Sequence, residues 1–126
     1  MATMISTEKA PKALGPYSQA IQAGGFIWCS GQIPIDPAVN AVTATTIEDQ
    51  TRQSITNLKN VLEAAGSGLD KVVKTTVFIS DMNDFAALNA VYAELFGDTK
   101  PARSCVQVAR LPKDVKVEIE AIATLA

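Results

Sequence analysis

The sequence predicts an α+β fold, one mixed sheet with two helices packed on one of its faces, in the order ββαβαββ. Three observations carry this prediction. Short β-prone runs with period-two alternation lie near both ends and in the middle, two segments with helically spaced apolar residues separate them, and Gly, Pro or Asn marks the junctions. At 126 residues, the chain suits one domain, residues 1–126, with one ordinary core.

The first two strands are Ser18–Gln22 and Phe26–Ser30, joined through Ala23, Gly24 and Gly25. The glycine pair supplies the positive φ of a tight hairpin turn. From Gly31 to Thr46, Pro34, Pro37 and Asn40 indicate an irregular connection. A helix then carries Ile47, Ile55, Leu58, Leu62 and Ala65 on one stripe, with Thr45 and Glu48 as a capping box and Gly66 as its stop. Val72–Ile79 reads as a strand with Val73, Thr75, Val77 and Ile79 on one face. A second helix follows Asp81 or Asn83 as N-cap, with Phe85, Leu88, Tyr92, Leu95 and Phe96 on its stripe and Gly97 at its end. Ser104–Ala109 and Val115–Ala123 are expected as antiparallel neighbours joined by a turn over Arg110–Asp114.

Composition excludes several chemistries. Lys and Arg number 11 against 13 Asp and Glu, for a net charge of −2, and 48% of residues are hydrophobic. Neither disorder nor a nucleic-acid surface is suggested. There is no histidine, so Ser-His-Asp and Cys-His nucleophile systems and His-based metal sites are out of reach. Cys29 and Cys105 are too few and too far apart for a disulfide framework or a metal site, and read as reduced thiols. Met1–Pro11 has no apolar core for a signal peptide, and with Glu8 and no Arg it makes a poor presequence. A cytoplasmic location is expected, or a mitochondrial one if a presequence has been removed.

The last two strands hold the chemistry. Val106 and Val108 alternate with Arg103, Cys105 and Gln107, and Val115, Val117, Ile119 and Ala121 alternate with Glu118 and Glu120. If both valine faces meet the helices, Arg103, Cys105, Glu118 and Glu120 gather on the opposite face. On spacing alone, this is a solvated cross-strand ion pair worth about 0–1 kcal/mol. A covering oligomer partner would turn it into a cleft where an Arg fork binds a carboxylate and a Glu handles a proton.

The stretches Gly15-Pro16-Tyr17-Ser18-Gln19-Ala20, Ser30-Gly31-Gln32-Ile33-Pro34, Pro101-Ala102-Arg103-Ser104-Cys105-Val106 and Val115-Lys116-Val117-Glu118-Ile119-Glu120-Ala121 resemble the RidA (YjgF) family. The similarity runs from about Thr7 to Ala123 and includes Gln53–Leu58 and Asn83–Phe85. The resemblance implies a chorismate-mutase-like fold assembled as a homotrimer, with the sheets lining a central barrel, the helices outside and the active sites between subunits. It further implies hydrolysis of reactive enamines and imines, such as 2-aminoacrylate, 2-iminopropanoate and 2-iminobutanoate, to 2-keto acids and ammonia without a cofactor. That activity would belong to metabolite damage control. Carried over by position, Arg103 binds the substrate carboxylate and Glu118 positions water, while Tyr17, Ser30, Gly31, Asn89 and Cys105 line the substrate.

Each residue also has a plainer reading. Tyr17 could pack at the start of a strand, Ser30 and Gly31 could be turn residues, Asn89 could tie the helix to a loop, and Cys105 could be a small apolar strand residue with no histidine to activate it. Cys29, beside Trp28, reads as core, and Arg110 as a surface or subunit-contact charge. Two other functions compete with the deaminase. An endoribonuclease or translation inhibitor is disfavoured by the charge balance and the missing imidazole. A non-catalytic carboxylate-binding or chaperone-like protein would need Arg103 but not Glu118. No metal, membrane or nucleic-acid partner is expected.

Overall fold

The computed structural model describes all 126 residues. Six strands form one mixed sheet in the order β1-β2-β3-β6-β4-β5. They are β1 (Thr3–Ile5), β2 (Ala20–Ala23), β3 (Phe26–Gln32), β4 (Val72–Ile79), β5 (Ala102–Gln107) and β6 (Val117–Thr124), with helices α1 (Ile47–Ala64) and α2 (Phe85–Phe96). Both helices lie on one face, as their apolar stripes predicted. Ile55, Leu58, Val61 and Leu62 of α1 are fully buried with Ile27, Val77, Val117 and Ile119 of the sheet. Burying each such side chain contributes about 1.5–3 kcal/mol. No helix is long and apolar enough to cross a membrane.

The local signals set most boundaries. Gly24 and Gly25 take φ of 62° and 79° and close the β2–β3 hairpin as expected. At the end of α1, Gly66 (φ 85°) donates to the Glu63 carbonyl, and the next amide, Ser67, reaches back to Leu62 at 2.8 Å. This is the Schellman pattern. The start of α1 differs by one residue, because the side chain of Thr46, not Thr45, caps it by accepting from the Asp49 amide at 3.1 Å. Asp81 accepts from the Asn83 amide and starts the short 3₁₀ turn Met82–Asp84 that leads into α2, which Gly97 ends.

Three features depart from the sequence reading. A short strand, β1, precedes the expected seven elements and pairs with β2; three residues are too few to show a period. In β4 the inward alternation begins at Val72, and Val73 is exposed, because the β4–β6 register shifts between Val72 and Lys74. Most consequentially, β5 and β6 are not neighbours. β4 lies between them, parallel to β5 and antiparallel to β6. The 108–116 segment therefore passes the end of β4 instead of making a hairpin, and it is held there by Val108 N to Ile79 O and Ser80 N to Lys116 O, both 3.0 Å.

The irregular connection after β3 is fastened to α1 by buried side chains at i, i+4 and i+7. Gln50 donates to Ala44 O and accepts from Lys116 N, Ser54 donates to Gln32 O, and Asn57 donates to Ile33 O and Ile35 O at 3.1 and 2.9 Å. Just before β2, buried Gln19 accepts from Thr7 N and donates to Thr7 O and Pro11 O. Asn57→Ala would leave two carbonyls without their donor, and we expect a loss of about 2–6 kcal/mol, since each orphaned group costs about 1–3 kcal/mol. A urea midpoint unchanged at fixed protein concentration would refute the clamp.

Candidate active site

The sheet face away from the helices is open, and the site residues divide between its two sides. On β6, Val117, Ile119 and Ala121 point into the core, which leaves Glu118 and Glu120 on the open face. Glu118 stands in a row with Phe78 and Val106, and Glu120 with Thr76 and Ser104. Arg103 and Cys105 stand in the other set of rows, beside Thr75 and Val77, which face the helices.

This corrects the expected gathering of Arg103, Cys105, Glu118 and Glu120 on one face. Val106 is the exposed residue, at 44%, and Cys105 packs against the core. The inner side of this edge strand is covered by α2, whose aromatic side chains accept an arginine as readily as a valine. The Arg103 guanidinium carbon lies 4.8 Å from the ring centroid of Tyr92 and 5.4 Å from that of Phe85. Arg103 Nη1 donates to Asn89 Oδ1 at 2.8 Å. No carboxylate pairs with Arg103; the salt bridges of the chain are Arg52–Glu94 and Arg110–Asp114, both exposed. With Tyr92, Phe96, Lys100 and Asn89, Arg103 lines a cavity of about 370 Å³.

Glu118 belongs to a second cavity, of about 400 Å³, shared with Tyr17, Ser30, Gly31, Ile33, Pro112 and Glu120. A bulge between Cys29 and Gln32 turns Gln32 inward and sets Gly31 against the Glu118 carboxylate. A Cβ at Gly31 would collide with Glu118 Oε2 and lie 2.9 Å from its Cδ, so this approach requires glycine. Ser30 Oγ donates to Ser18 O at 2.6 Å, which ties the strand end to the segment that presents Tyr17. Tyr17 is 54% exposed.

Burial, and after it the charge of Glu120, holds the Glu118 carboxyl above its ordinary value of 4.5. Burial also raises the Cys105 thiol, against a smaller opposing effect of Arg103, and pushes Cys29 up to about 12. Neither thiol has the lowered pKa of a nucleophile. No group of three His, Cys, Asp or Glu side chains is placed to hold a metal ion.

Of the seven sequence-derived site residues, Tyr17, Ser30, Gly31 and Glu118 meet in one cavity and Asn89 and Arg103 in the other, while Cys105 lines neither. Sequence reasoning missed Phe85 and Tyr92 as partners of Arg103, because their helical spacing marks them equally well as core. It also missed Ile33 and Pro112, which carry no chemical signature.

The fold and the two cavities define a protein that presents an unpaired guanidinium and a half-buried carboxylate of raised pKa, on opposite sides of one sheet. A family model described as Endoribonuclease L-PSP matches residues 7–125. The chain belongs to this family, the RidA (YjgF) family. It is 59% identical over 123 residues to a RutC family protein of Pyrococcus horikoshii, covering 98% of both chains. It is 55% identical over 126 residues to the 2-iminobutanoate/2-iminopropanoate deaminase of Salmonella typhimurium, again with 98% of each covered. Among solved structures, E. coli TdcF with bound serine superposes with a TM-score of 0.94 at 47% identity, over 98% of this chain and 99% of that one.

The raised Glu118 pKa has a measurable sign. The folded chain holds this proton more tightly than the unfolded chain does. The contribution of Glu118 to stability is therefore fully present below the ordinary glutamate pKa, is lost as pH rises through the raised value, and is level beyond it. Glu120→Gln should lower the Glu118 pKa in a carboxyl ¹³C NMR titration and shrink the accompanying fall in melting temperature. A Glu118 titration indifferent to Glu120 would show that burial acts alone.

Proposed function

We propose that the protein is a cofactor-free hydrolytic deaminase of small enamine and imine carboxylates of the 2-aminoacrylate, 2-iminopropanoate and 2-iminobutanoate class, releasing 2-keto acids and ammonia. One observation carries this reading: Arg103 and Glu118 are each prepared for a partner that the chain itself does not supply. Arg103 is held by neutral groups only, which leaves its charge free for a substrate carboxylate. Glu118 has no cation beside it and its pKa is raised, which makes it a stronger base than an exposed glutamate while leaving it able to ionise. The deaminase name of the Salmonella relative and the amino acid bound to TdcF agree with a small substrate carrying a carboxylate and a nitrogen.

Because the two groups lie on opposite sides of the sheet, a working site takes Arg103 from one copy and Glu118 from another. Exposed Phe26, Trp28 and Val106 on the open face supply apolar surface for the contact. A homotrimer with inter-subunit sites, as the family resemblance implies, is the assembly we adopt. Sedimentation showing a monomer would end the proposal in this form.

In the mechanism, Arg103 fixes the carboxylate and with it the adjacent C=N carbon. Glu118 takes a proton from a water as the water oxygen bonds to that carbon, giving a carbinolamine. Glu118 returns that proton to the nitrogen, then relays the hydroxyl proton to the nitrogen as the C–N bond breaks with its electron pair on the departing ammonia and the C–O bond becomes the keto group. An enamine first tautomerises to the imine. Such imines already hydrolyse in water, so positioning and modest electrostatics suffice without an imidazole.

The test couples an amino-acid dehydratase to this protein and follows 2-keto acid release. Arg103→Ala should lower kcat/KM by about 10- to 100-fold through loss of a charge-assisted pair, and Glu118→Gln should lower kcat by about 100-fold through loss of the base. Gly31→Ala, which displaces the Glu118 carboxylate, should follow Glu118→Gln. In wild type, kcat should fall on the acid side at a pH above the ordinary glutamate range, because Glu118 must be ionised to act in the substrate complex. A wild-type rate no greater than buffer would refute the activity. The family description favours a second reading as an endoribonuclease; Arg103→Ala protein that still cleaves RNA after losing imine hydrolysis would place that activity elsewhere.

A further inference from the structure

Tyr92 stands at the junction of three elements. Its hydroxyl makes a 2.7 Å hydrogen bond with Thr75 Oγ1 of β4, its ring packs on Phe96 with centroids 4.5 Å apart, and the same ring faces the Arg103 guanidinium carbon at 4.8 Å. Thr75 is 1% exposed and is the residue of β4 directly paired with Arg103 of β5. The contacts therefore close a loop: Arg103 to Thr75 through the sheet, Thr75 to Tyr92 through the hydroxyls, and Tyr92 back to Arg103 through the ring. A ring fixed at both its tip and its face has one orientation, and a guanidinium lying over it inherits that orientation.

We propose that Tyr92, anchored by Thr75, is a positioning residue that sets the plane of the Arg103 guanidinium and so the affinity of the site for a small 2-oxo or 2-imino carboxylate. Asn89 occupies Nη1, and the aromatic rings of Tyr92 and Phe85 lie against the guanidinium. The Nε–Nη2 edge is the one left to form two parallel bonds with a carboxylate. An arginine free to rotate could still attract an anion, but it would present that edge only part of the time. Tyr92 therefore acts on binding, whereas Glu118 acts on turnover.

This inference rests on the carboxylate-binding role proposed for Arg103, and its test is separable from turnover. The probe is 2-oxobutanoate, a stable keto acid, titrated into the assembled protein by calorimetry and by the ¹⁵N–¹H signal of Arg103 Nε. Tyr92→Leu should weaken binding by about tenfold, within the range of a partly desolvated cation–π contact. Tyr92→Phe and Thr75→Val each remove the same hydrogen bond, so each should weaken binding by about threefold, and the double variant should be no worse than either single one. On imine substrates KM should rise in parallel while kcat at saturation moves less than twofold.

A Tyr92 that merely joins helix to sheet would change the melting temperature and leave the 2-oxobutanoate Kd untouched, and that result overturns the inference. Additive losses in the double variant, or a fall in kcat at constant KM, overturn it as well. Should Tyr92→Leu fail to fold, the Phe and Val variants decide alone. If wild type binds 2-oxobutanoate with this pattern of losses but hydrolyses no imine, the positioning role stands and the deaminase reading falls. If wild type hydrolyses imines and the variants bind 2-oxobutanoate as it does, the deaminase reading stands and the positioning role falls. A wild type that does not bind 2-oxobutanoate removes both the positioning role and the carboxylate role of Arg103.

Discussion

A pleated strand sends successive side chains to opposite sides, and this sheet is covered on one side only. Residues in the inward rows must share the helix layer, whereas residues in the outward rows meet whatever lies against the open face. Glu118, with Phe78 and Val106, falls in an outward row; Arg103, with Thr75 and Ala121, falls in an inward one. Arg103 escapes the cost of burying an unpaired charge because β5 is an edge strand. Its stem runs under α2 while the guanidinium reaches a cavity lined by aromatic and amide groups. Glu118 faces an enclosure that includes Tyr17, Gly31 and Pro112, and its half-burial there raises its pKa.

The supports of the two halves differ in kind. Around Glu118 they are backbone devices: the bulge that brings Gly31 against the carboxylate, and the carbonyls of Gln32, Ile33 and Ile35 held by Ser54 and Asn57. These side chains interrupt the apolar stripe of α1, and each polar atom they bury on the loop is matched by a donor or acceptor from the helix. Around Arg103 the supports are side chains of α2. The first arrangement fixes where the chain runs and the second fixes which way a charge points, which suits the roles proposed for Glu118 as a base meeting water and for Arg103 as the partner of a planar anion.

Much of this architecture is written in short-range signals. Gly24-Gly25, Gly66 and Gly97 mark a turn and two helix ends, and the stripes of both helices say which face is inward. The β-branched run at 72–79 is a strand in the structure, although its first inward residue is Val72 because of a register shift. The relation of β5 to β6 is not written locally. The segment between them looks like a turn, and only the competition of β4 for the same pairing edges shows otherwise. The facing of β5 misleads for a related reason. Alternating Val and Arg suggests Val inward, but Phe85 and Tyr92 lie far along the chain and reverse that preference by providing a site for a cation. Arg103 and Glu118 entered the candidate site through the family resemblance; the spacing argument joined them in a geometry the structure does not have.

That difference bears on how the proposed chemistry would work. Had β5 and β6 paired with Arg103 beside Glu118 on an exposed face, the two would have formed an ion pair with each other. The guanidinium fork would then be occupied, and the glutamate pKa would fall, as it does for Glu94 beside Arg52. A substrate carboxylate would have to displace Glu118, and the displaced base would be a weaker one. Placing β4 between the strands, and the two side chains on opposite faces, prevents this within the chain. Each group keeps the property the proposed mechanism requires: Arg103 an uncommitted charge, Glu118 a raised pKa. In the inter-subunit site proposed above, a carboxylate bound to Arg103 would neutralise the guanidinium and offset its pull on Glu118. On that proposal, substrate binding would preserve the raised pKa of Glu118, the property that suits a carboxylate to serve as base in a protein without histidine.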